Sequence, residues 1–195
     1  MKFTSDVDID VANRDSALAL LTHTAAAIIK QDKNIRHNTG VYFTHIPVDP
    51  FTGRSSLDYE AAEQHGYIKV DVLNVGLYQQ VKSEQHLQQL MSTEPTWDKL
   101  YDPEFFAKLI HIGAHYDTLI QMPEAVNSIA RLAMFLAVIR PAKRHLIGKS
   151  WQDVAATVWE RPGDDGYYFK KAHAISYSHL VVVNINLLSQ ASEQE

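Results

Sequence analysis

The strongest constraint on this chain is a pair of short segments, Asp6-Val7-Asp8-Ile9-Asp10-Val11 and Lys69-Val70-Asp71-Val72-Leu73. Strict alternation at period two predicts that each is a strand. In the first, Val7, Ile9 and Val11 face a core, which turns Asp6, Asp8 and Asp10 to the opposite face. Lining up like charges costs free energy unless a cation, an arginine or open water offsets the repulsion. If the second strand pairs beside the first, Asp71 joins the group and the carboxylates form a site for a divalent cation. Hard oxygen donors suit magnesium or manganese, with phosphate oxygens commonly completing the shell. That reading points to metal-assisted phosphoryl or nucleotidyl transfer. The same pattern also suits an acidic, solvated strand edge whose charges discourage aggregation. An EF-hand loop is a poorer explanation still, because Val11 stands at the glycine position and Ala17 at that of the bidentate glutamate.

A chain of 195 residues, 46% hydrophobic and 21% charged, can bury a sizeable core and supports one compact domain spanning 1–195. A formal charge of −5 argues against a broadly basic, nucleic-acid-coating surface, while leaving room for a local basic groove. The absence of cysteine removes disulfides, zinc knuckles and thiol catalysis together. The apolar stretches at 129–139 and 180–188 are too short to span a bilayer, and no leader-like segment opens the chain. A cytoplasmic protein with no membrane partner is the expectation.

Local signals then divide the chain. A strand at 4–11 is followed by a helix that starts near Asn13-Arg14-Asp15-Ser16 and runs to about Lys30. Residues 31–38 read as a loop, 40–46 as a strand, and 47–56, with two prolines and Gly53, as a surface turn. A short helix at 58–65 ends at Gly66, and a strand covers 67–73. Helical patterns follow near 75–91, 103–120, 124–139, 150–159 and 172–189, with Pro95, Pro103, Pro123, Pro141 and Pro162 at their boundaries. The resulting class is α+β: a small mixed β-sheet with helices over 1–91, a helical lobe over 92–189, and a frayed tail at 190–195.

Several segments fall in a fixed order: Asp6-Val7-Asp8-Ile9-Asp10 with Asn13-Arg14-Asp15, then His37-Asn38-Thr39-Gly40-Val41, Lys69-Val70-Asp71-Val72-Leu73, Leu136-Ala137-Val138-Ile139-Arg140-Pro141, and Phe169-Lys170-Lys171-Ala172-His173-Ala174-Ile175-Ser176-Tyr177. In that order they resemble the catalytic core of the bacterial DNA polymerase III alpha subunit, the C-family DNA polymerases. The first looks like the palm Asp-x-Asp-x-Asp motif with its following Arg-Asp. The next two are similar to the His-x-x-Gly-Val segment and the Lys-Phe-Asp-Phe-Leu strand. The last two resemble the fingers segments ending Arg-Pro-Gly and reading Phe-Asn-Lys-Ser-His-x-x-x-Tyr.

The resemblance implies a palm-like nucleotidyltransferase core followed by a fingers-like lobe. It implies that Asp8, Asp10 and Asp71 are catalytic carboxylates holding Mg2+ or Mn2+, and that Lys69 neutralises phosphate charge. Arg140, Lys171 and His173 would lie over the triphosphate of an incoming nucleotide. A nucleoside triphosphate and DNA are then the ligands, and DNA replication the setting. Ala142 stands where the family's fingers motif has Gly, Asn74 where its palm strand is followed by Gly, and Lys170 where Asn is common. The family's upstream Gly-Ser phosphate loop has no counterpart in the sequence; one version of the resemblance is a split polymerase, in which a protein partner would supply that loop. The alternative is a non-catalytic replication-associated binding or regulatory module that keeps the polymerase-like fold.

Other candidates read more plainly as structure. His111 and His115 have the i,i+4 spacing of a zinc pair, but no glutamate follows His111, and a structural or surface role is expected. Arg140 before Pro141 suits a helix C-terminus, and Lys170 and Lys171 suit an exposed helix start. Trp97, Trp151 and Trp159 read as core, as do most of Tyr42, Phe43, Tyr67, Tyr167, Tyr168, Phe169 and Tyr177, although aromatic rings also offer stacking surfaces for bases.

Overall fold

The structure, a computed structural model, describes residues 7–31, 33–161, 163 and 168–192. Strands β1 (Val7–Val11), β2 (Thr24–Lys30), β3 (Lys33–Tyr42) and β4 (Val70–Asn74) form one sheet in the order β1-β4-β3-β2. β1 lies parallel to β4, whereas β4 with β3 and β3 with β2 are antiparallel, so the sheet is mixed. With the helices that follow, the fold is α+β as the local signals predict. The expected residues before Val7, Asp6 among them, lie outside the described residues, as do Pro162, Tyr167 and the tail beyond Ser192.

The chain divides into two compact units, Met1–Val81 and Lys82–Glu195. The division falls ten residues earlier than the expected 91/92 boundary. Helix α3 (Glu84–Ser92) falls with the helical unit, where its Leu90 carbonyl accepts a hydrogen bond from the Asn186 side chain.

In the sheet unit, α1 (Arg14–Ala19) begins where the Asn13 side chain accepts the Ser16 amide at 3.0 Å. The expectation that this helix continues to Lys30 is corrected, since Thr24–Lys30 is a strand. Ala25, Ala26 and Ala27 favour a helix intrinsically, but Thr24, Ile28 and Ile29 are β-branched. The deciding term is non-local: β3 supplies a ladder from Thr24 opposite Tyr42 to Lys30 opposite Lys33. The expected loop at 31–38 is accordingly mostly the first half of β3, with Gln31 taking a left-handed φ of 48° at the reversal. Helix α2 (Tyr59–Gln64) matches its signals, capped by Asp58 and followed by Gly66 at φ 85°.

The two sheet faces bury different clusters. Val41 and Val72 pack with Leu18 of α1, joined by Val11 and Val70. Ala26 and Tyr42 pack with Ile46, Ala62 of α2, Leu57 and Tyr67. Only Val11 of β1 joins a core, and Val7 and Ile9 are 39% and 44% exposed, against expectation. β1 is an edge strand, and the six-residue α1 is too short to cover it. The opposite edge is occupied: Ser55 N–H donates to Ala25 O at 2.9 Å, and Ile29 N–H to Asp58 Oδ2 at 2.8 Å.

In the helical unit, α4 (Pro103–Phe106), α5 (Tyr116–Leu119), α6 (Ile129–Val138) and α7 (Trp151–Thr157) share one core with α8 (Lys171–Ser192), against which α6 and α3 pack directly. Ser128 and Ser150 cap α6 and α7. The expected continuous helix over 103–120 is broken into α4 and α5, because His111 adopts φ 63° between them. The i,i+4 argument for His111 and His115 therefore does not apply. Residues 180–187 of α8 are buried on every side, including two asparagines that a helix core rejects unless their polar atoms are satisfied. Asn184 Oδ1 accepts the Ile110 amide at 2.9 Å, and Asn186 Nδ2 donates to Leu90 O and Thr93 O at 2.8 and 2.9 Å. Trp151 is buried, with Trp97 and Trp159 partly so against the same core. Gln190 to Ser192, expected to fray, are helical, and Gln190 Oε1 lies 3.2 Å from His86 Nε2. Among the described residues, no helix is long and apolar enough to cross a membrane.

Candidate functional site

The parallel register sets Asp8 beside Asp71 and Asp10 beside Leu73, so the acidic residues of β1 and β4 share a face, with Asp8 and Asp71 on neighbouring strands about 4.8 Å apart. Gly40 of β3 is the next residue across the sheet from Asp71. The row Asp8, Asp71, Gly40 is the geometric centre of the sheet unit's candidate site.

Asp71 is held from two sides. Thr39 Oγ1 donates to its Oδ1 at 2.6 Å, and the Lys69 ammonium pairs with its Oδ2. Its side chain is only 16% exposed and that of Lys69 only 20%, so the pair sits partly withdrawn from water. Lys69 reaches Asp71 over Gly40. A β-carbon there would stand 2.8 Å from Lys69 Cδ and 3.0 Å from His37 Nδ1. The His-x-x-Gly spacing has a second local reason, since His37 Nδ1 accepts the Gly40 amide at 2.9 Å and the Thr39 amide at 3.3 Å. Accepting those donors leaves the ring proton on Nε2. The 3.8 Å approach of Nδ1 to Asp71 Oδ1 is then not an ion pair. Burial, and secondarily Lys69, lowers the His37 pKa, which agrees with a neutral ring.

Asp8 and Asp10 lie on the exposed edge strand. Burial, and after it the charge of Asp8, raises the Asp10 pKa above its ordinary value of 3.8. The native state therefore binds the Asp10 proton more tightly than the unfolded chain does, and its ionisation removes stability as pH rises through the range between the ordinary and raised values. Asp10→Asn is expected to stabilise the sheet unit at pH 7, by roughly a few tenths of a kcal/mol because screening is strong at an exposed edge. The gain disappears below the ordinary carboxylate range, where both side chains are neutral. Urea unfolding of wild type and variant at neutral and strongly acidic pH measures it; equal stability at both pH values would contradict repulsion between these carboxylates.

Among the described residues, no group of three or more His, Asp or Glu side chains converges to hold a metal ion. The chemistry of the donors nevertheless suits a hard divalent cation. Carboxylates occupy neighbouring register positions, and one has a raised pKa partly because another is charged. At Asp71 a cation would compete with the Lys69 ammonium for Oδ2.

The remaining predicted residues belong to the helical unit. Arg140 follows α6, with its guanidinium 4.7 Å from the centre of the Phe169 ring. The His173 ring of α8 lies 6.2 Å from that ring, centre to centre, and Lys171 is exposed in the first turn. Phe169 thus gathers Arg140 and His173. Sequence reasoning did not assign roles to Thr39, His37 and Gly40 at Asp71, to Arg14 behind it, or to His111 and Tyr177 near Phe169. For the first group the available signal was the His37-Asn38-Thr39-Gly40 spacing. For Tyr177 it was the i, i+4 spacing from His173, one face of the helix expected over 172–189.

No protein-family model matches the chain, and neither a curated protein nor a solved structure matches it.

Proposed function

We propose that the chain is a DNA polymerase III alpha-like protein that supports metal-dependent nucleotidyl transfer in DNA replication, in the cytoplasm, as one part of a split polymerase. The observation that carries this reading is the register of Asp8 against Asp71 on parallel neighbours, with Asp10 on the same face and Lys69 at hand. Asp8, Asp10 and Asp71 would hold Mg2+ or Mn2+, which when bound supplies positive charge at the phosphates and at the attacking oxygen. Lys69 then becomes available to a phosphate oxygen. The resemblance gives Arg140, Lys171 and His173 of the helical unit the role of cations toward a triphosphate, a role that charged and imidazole side chains can fill within that unit by itself. The reaction is attack of a 3′-hydroxyl oxygen on the α-phosphorus of a deoxynucleoside triphosphate. One phosphorus–oxygen bond forms as the hydroxyl proton passes to water, the bond from the α-phosphorus to the bridging oxygen breaks, and pyrophosphate leaves.

A second reading, a non-catalytic replication-associated module, draws on the ion pair and hydrogen bond that already occupy both oxygens of Asp71.

Titration with magnesium or manganese plus a deoxynucleoside triphosphate separates the two, with wild type beside Asp8→Asn/Asp71→Asn. Metal-dependent binding in the micromolar to low-millimolar range that vanishes in the double variant is the expected result. Its absence in wild type leaves the module reading and turns attention to protein partners.

A further inference from the structure

One hydrogen bond fixes which way the backbone of the edge strand β1 points. Val75 N–H donates to Val11 O at 2.8 Å, and Val11 is the register partner of Asn74. In a parallel ladder, alternate residues turn both backbone groups toward the same neighbour. Val7, Ile9 and Val11 therefore direct their N–H and C=O groups at β4, whereas those of Asp8 and Asp10 point to the outer side. Among the described residues, no group bonds the Asp10 amide or carbonyl. The far edge of the sheet differs, because Ser55 N–H and Asp58 Oδ2 already engage the Ala25 carbonyl and the Ile29 amide of β2. β1 is thus the edge that can receive a further strand.

Charge then selects the occupant. A strand added beside β1 lays its side chains in two rows, one next to Asp8 and Asp10 and the other next to the exposed Val7 and Ile9. A second copy of the chain supplies neither row. Two β1 strands side by side would set carboxylates against carboxylates, a destabilising arrangement, and the outer side of β2 is already engaged. Lysine or arginine beside the aspartates, alternating with β-branched residues beside Val7 and Ile9, complements both rows at once.

We propose that β1 is a strand-addition site for a partner protein, taking an extended segment in which lysine or arginine alternates with β-branched residues. Main-chain bonds to Asp10 supply affinity, and the acidic row supplies specificity by repelling like strands and attracting basic ones. The pairing lies in the plane of the sheet. It needs neither metal nor nucleotide, and it goes beyond the nucleotidyl-transfer reading without resting on it.

The test uses the full chain in EDTA at low salt, titrated by calorimetry with the end-capped peptide Lys-Val-Lys-Val-Lys-Val, while amide exchange is followed at Asp10. Peptide binding that slows exchange of the Asp10 amide is expected. The same peptide with every amide N-methylated keeps its charges and side chains but has no strand donors, and is expected to bind at least about tenfold more weakly. Asp10→Asn and Asp10→Pro both lose the charge, but only proline loses the outward N–H, so the proline variant should bind about fivefold more weakly than the asparagine one. An edge strand tolerates proline where its N–H faces outward, and an unchanged thermal melt shows that the variant is folded. If it does not fold, the Asp10 exchange of wild type and the N-methylated peptide decide the question. No binding by wild type, equal binding of the N-methylated peptide, or an Asp10 amide that the peptide leaves unprotected would overturn the site. Equal binding of Glu-Val-Glu-Val-Glu-Val would overturn the basic partner. A dimer of the chain alone, seen by light scattering and dissociated by Asp10→Pro, would show that a second copy occupies the edge and would overturn the proposal.

Discussion

Gly113→Ala is expected to destabilise the helical unit by about 2–4 kcal/mol, a large share of the roughly 5–15 kcal/mol that holds a domain folded. The cause is steric and lies in the backbone. A β-carbon at Gly113 would stand 2.7 Å from the Leu109 carbonyl oxygen and 2.8 Å from that of Ala107, atoms that cannot rotate away as a side-chain end can. The chain from Ala107 to Gly113 must then move. That segment carries Leu109 and Ile112 into the core, and its Ile110 amide is the donor that satisfies buried Asn184. A shift therefore opens packing space and orphans a polar group together. Gly76 is the control, because nothing lies within 4 Å of a β-carbon built there. Thermal and urea melts should show Gly113→Ala unfolding at least about 5 °C earlier than wild type, with Gly76→Ala close to it. Coincident melts for all three proteins would mean that the turn is soft enough to absorb a methyl group.

The sequence reads correctly where the decisive interactions are local. Asp58 with Gly66 bounds α2, and Ser128 and Ser150 open α6 and α7, because a cap and its helix lie within a few residues of each other. It misreads β2 because the triple alanine is helix-prone and the ladder that overrules it comes from β3. It misreads 103–120 because the break depends on one left-handed histidine, which periodicity does not detect. For the candidate site, alternation was enough to put Asp8 and Asp10 on one face, and the parallel pairing then sets Asp71 beside Asp8. Alternation carried nothing about Thr39, whose hydroxyl reaches Asp71 only because β3 lies next to β4. It also missed the exposure of Val7 and Ile9, since whether an alternating strand buries its apolar face depends on the length of the helix that covers it.

The same dependence on distant partners makes Arg14 the residue whose loss should most disturb the sheet unit. β3 and β4 share only two register pairs, Gly40 with Asp71 and Val41 with Val70, so the ladder beneath Asp71 is short. Arg14, at the first position of α1, spans both strands: its Nε donates to Val72 O at 3.0 Å and its Nη2 to Thr39 O at 3.2 Å. Its backbone amide is fixed in turn by Asn74 Oδ1 at 3.0 Å, which gives Asn74 a structural use at the end of β4. Arg14→Met keeps the alkyl stem and the helix propensity but leaves two partly buried carbonyls without donors. A loss of about 2–3 kcal/mol is expected. Arg14→Lys should fall between, because an ammonium on a flexible stem cannot reproduce the two-pronged fork. Urea midpoints measure the series, and amide exchange at Gly40 and Val41 should quicken in the same order. Because Thr39 both receives the Arg14 bond and donates to Asp71, the metal-dependent nucleotide binding proposed for this site should, where titration detects it, weaken in step with that exchange. Arg14→Met with wild-type stability would show that the two-pair ladder holds β4 by itself, and that Asp71 is positioned by Lys69 and Thr39 without support from α1.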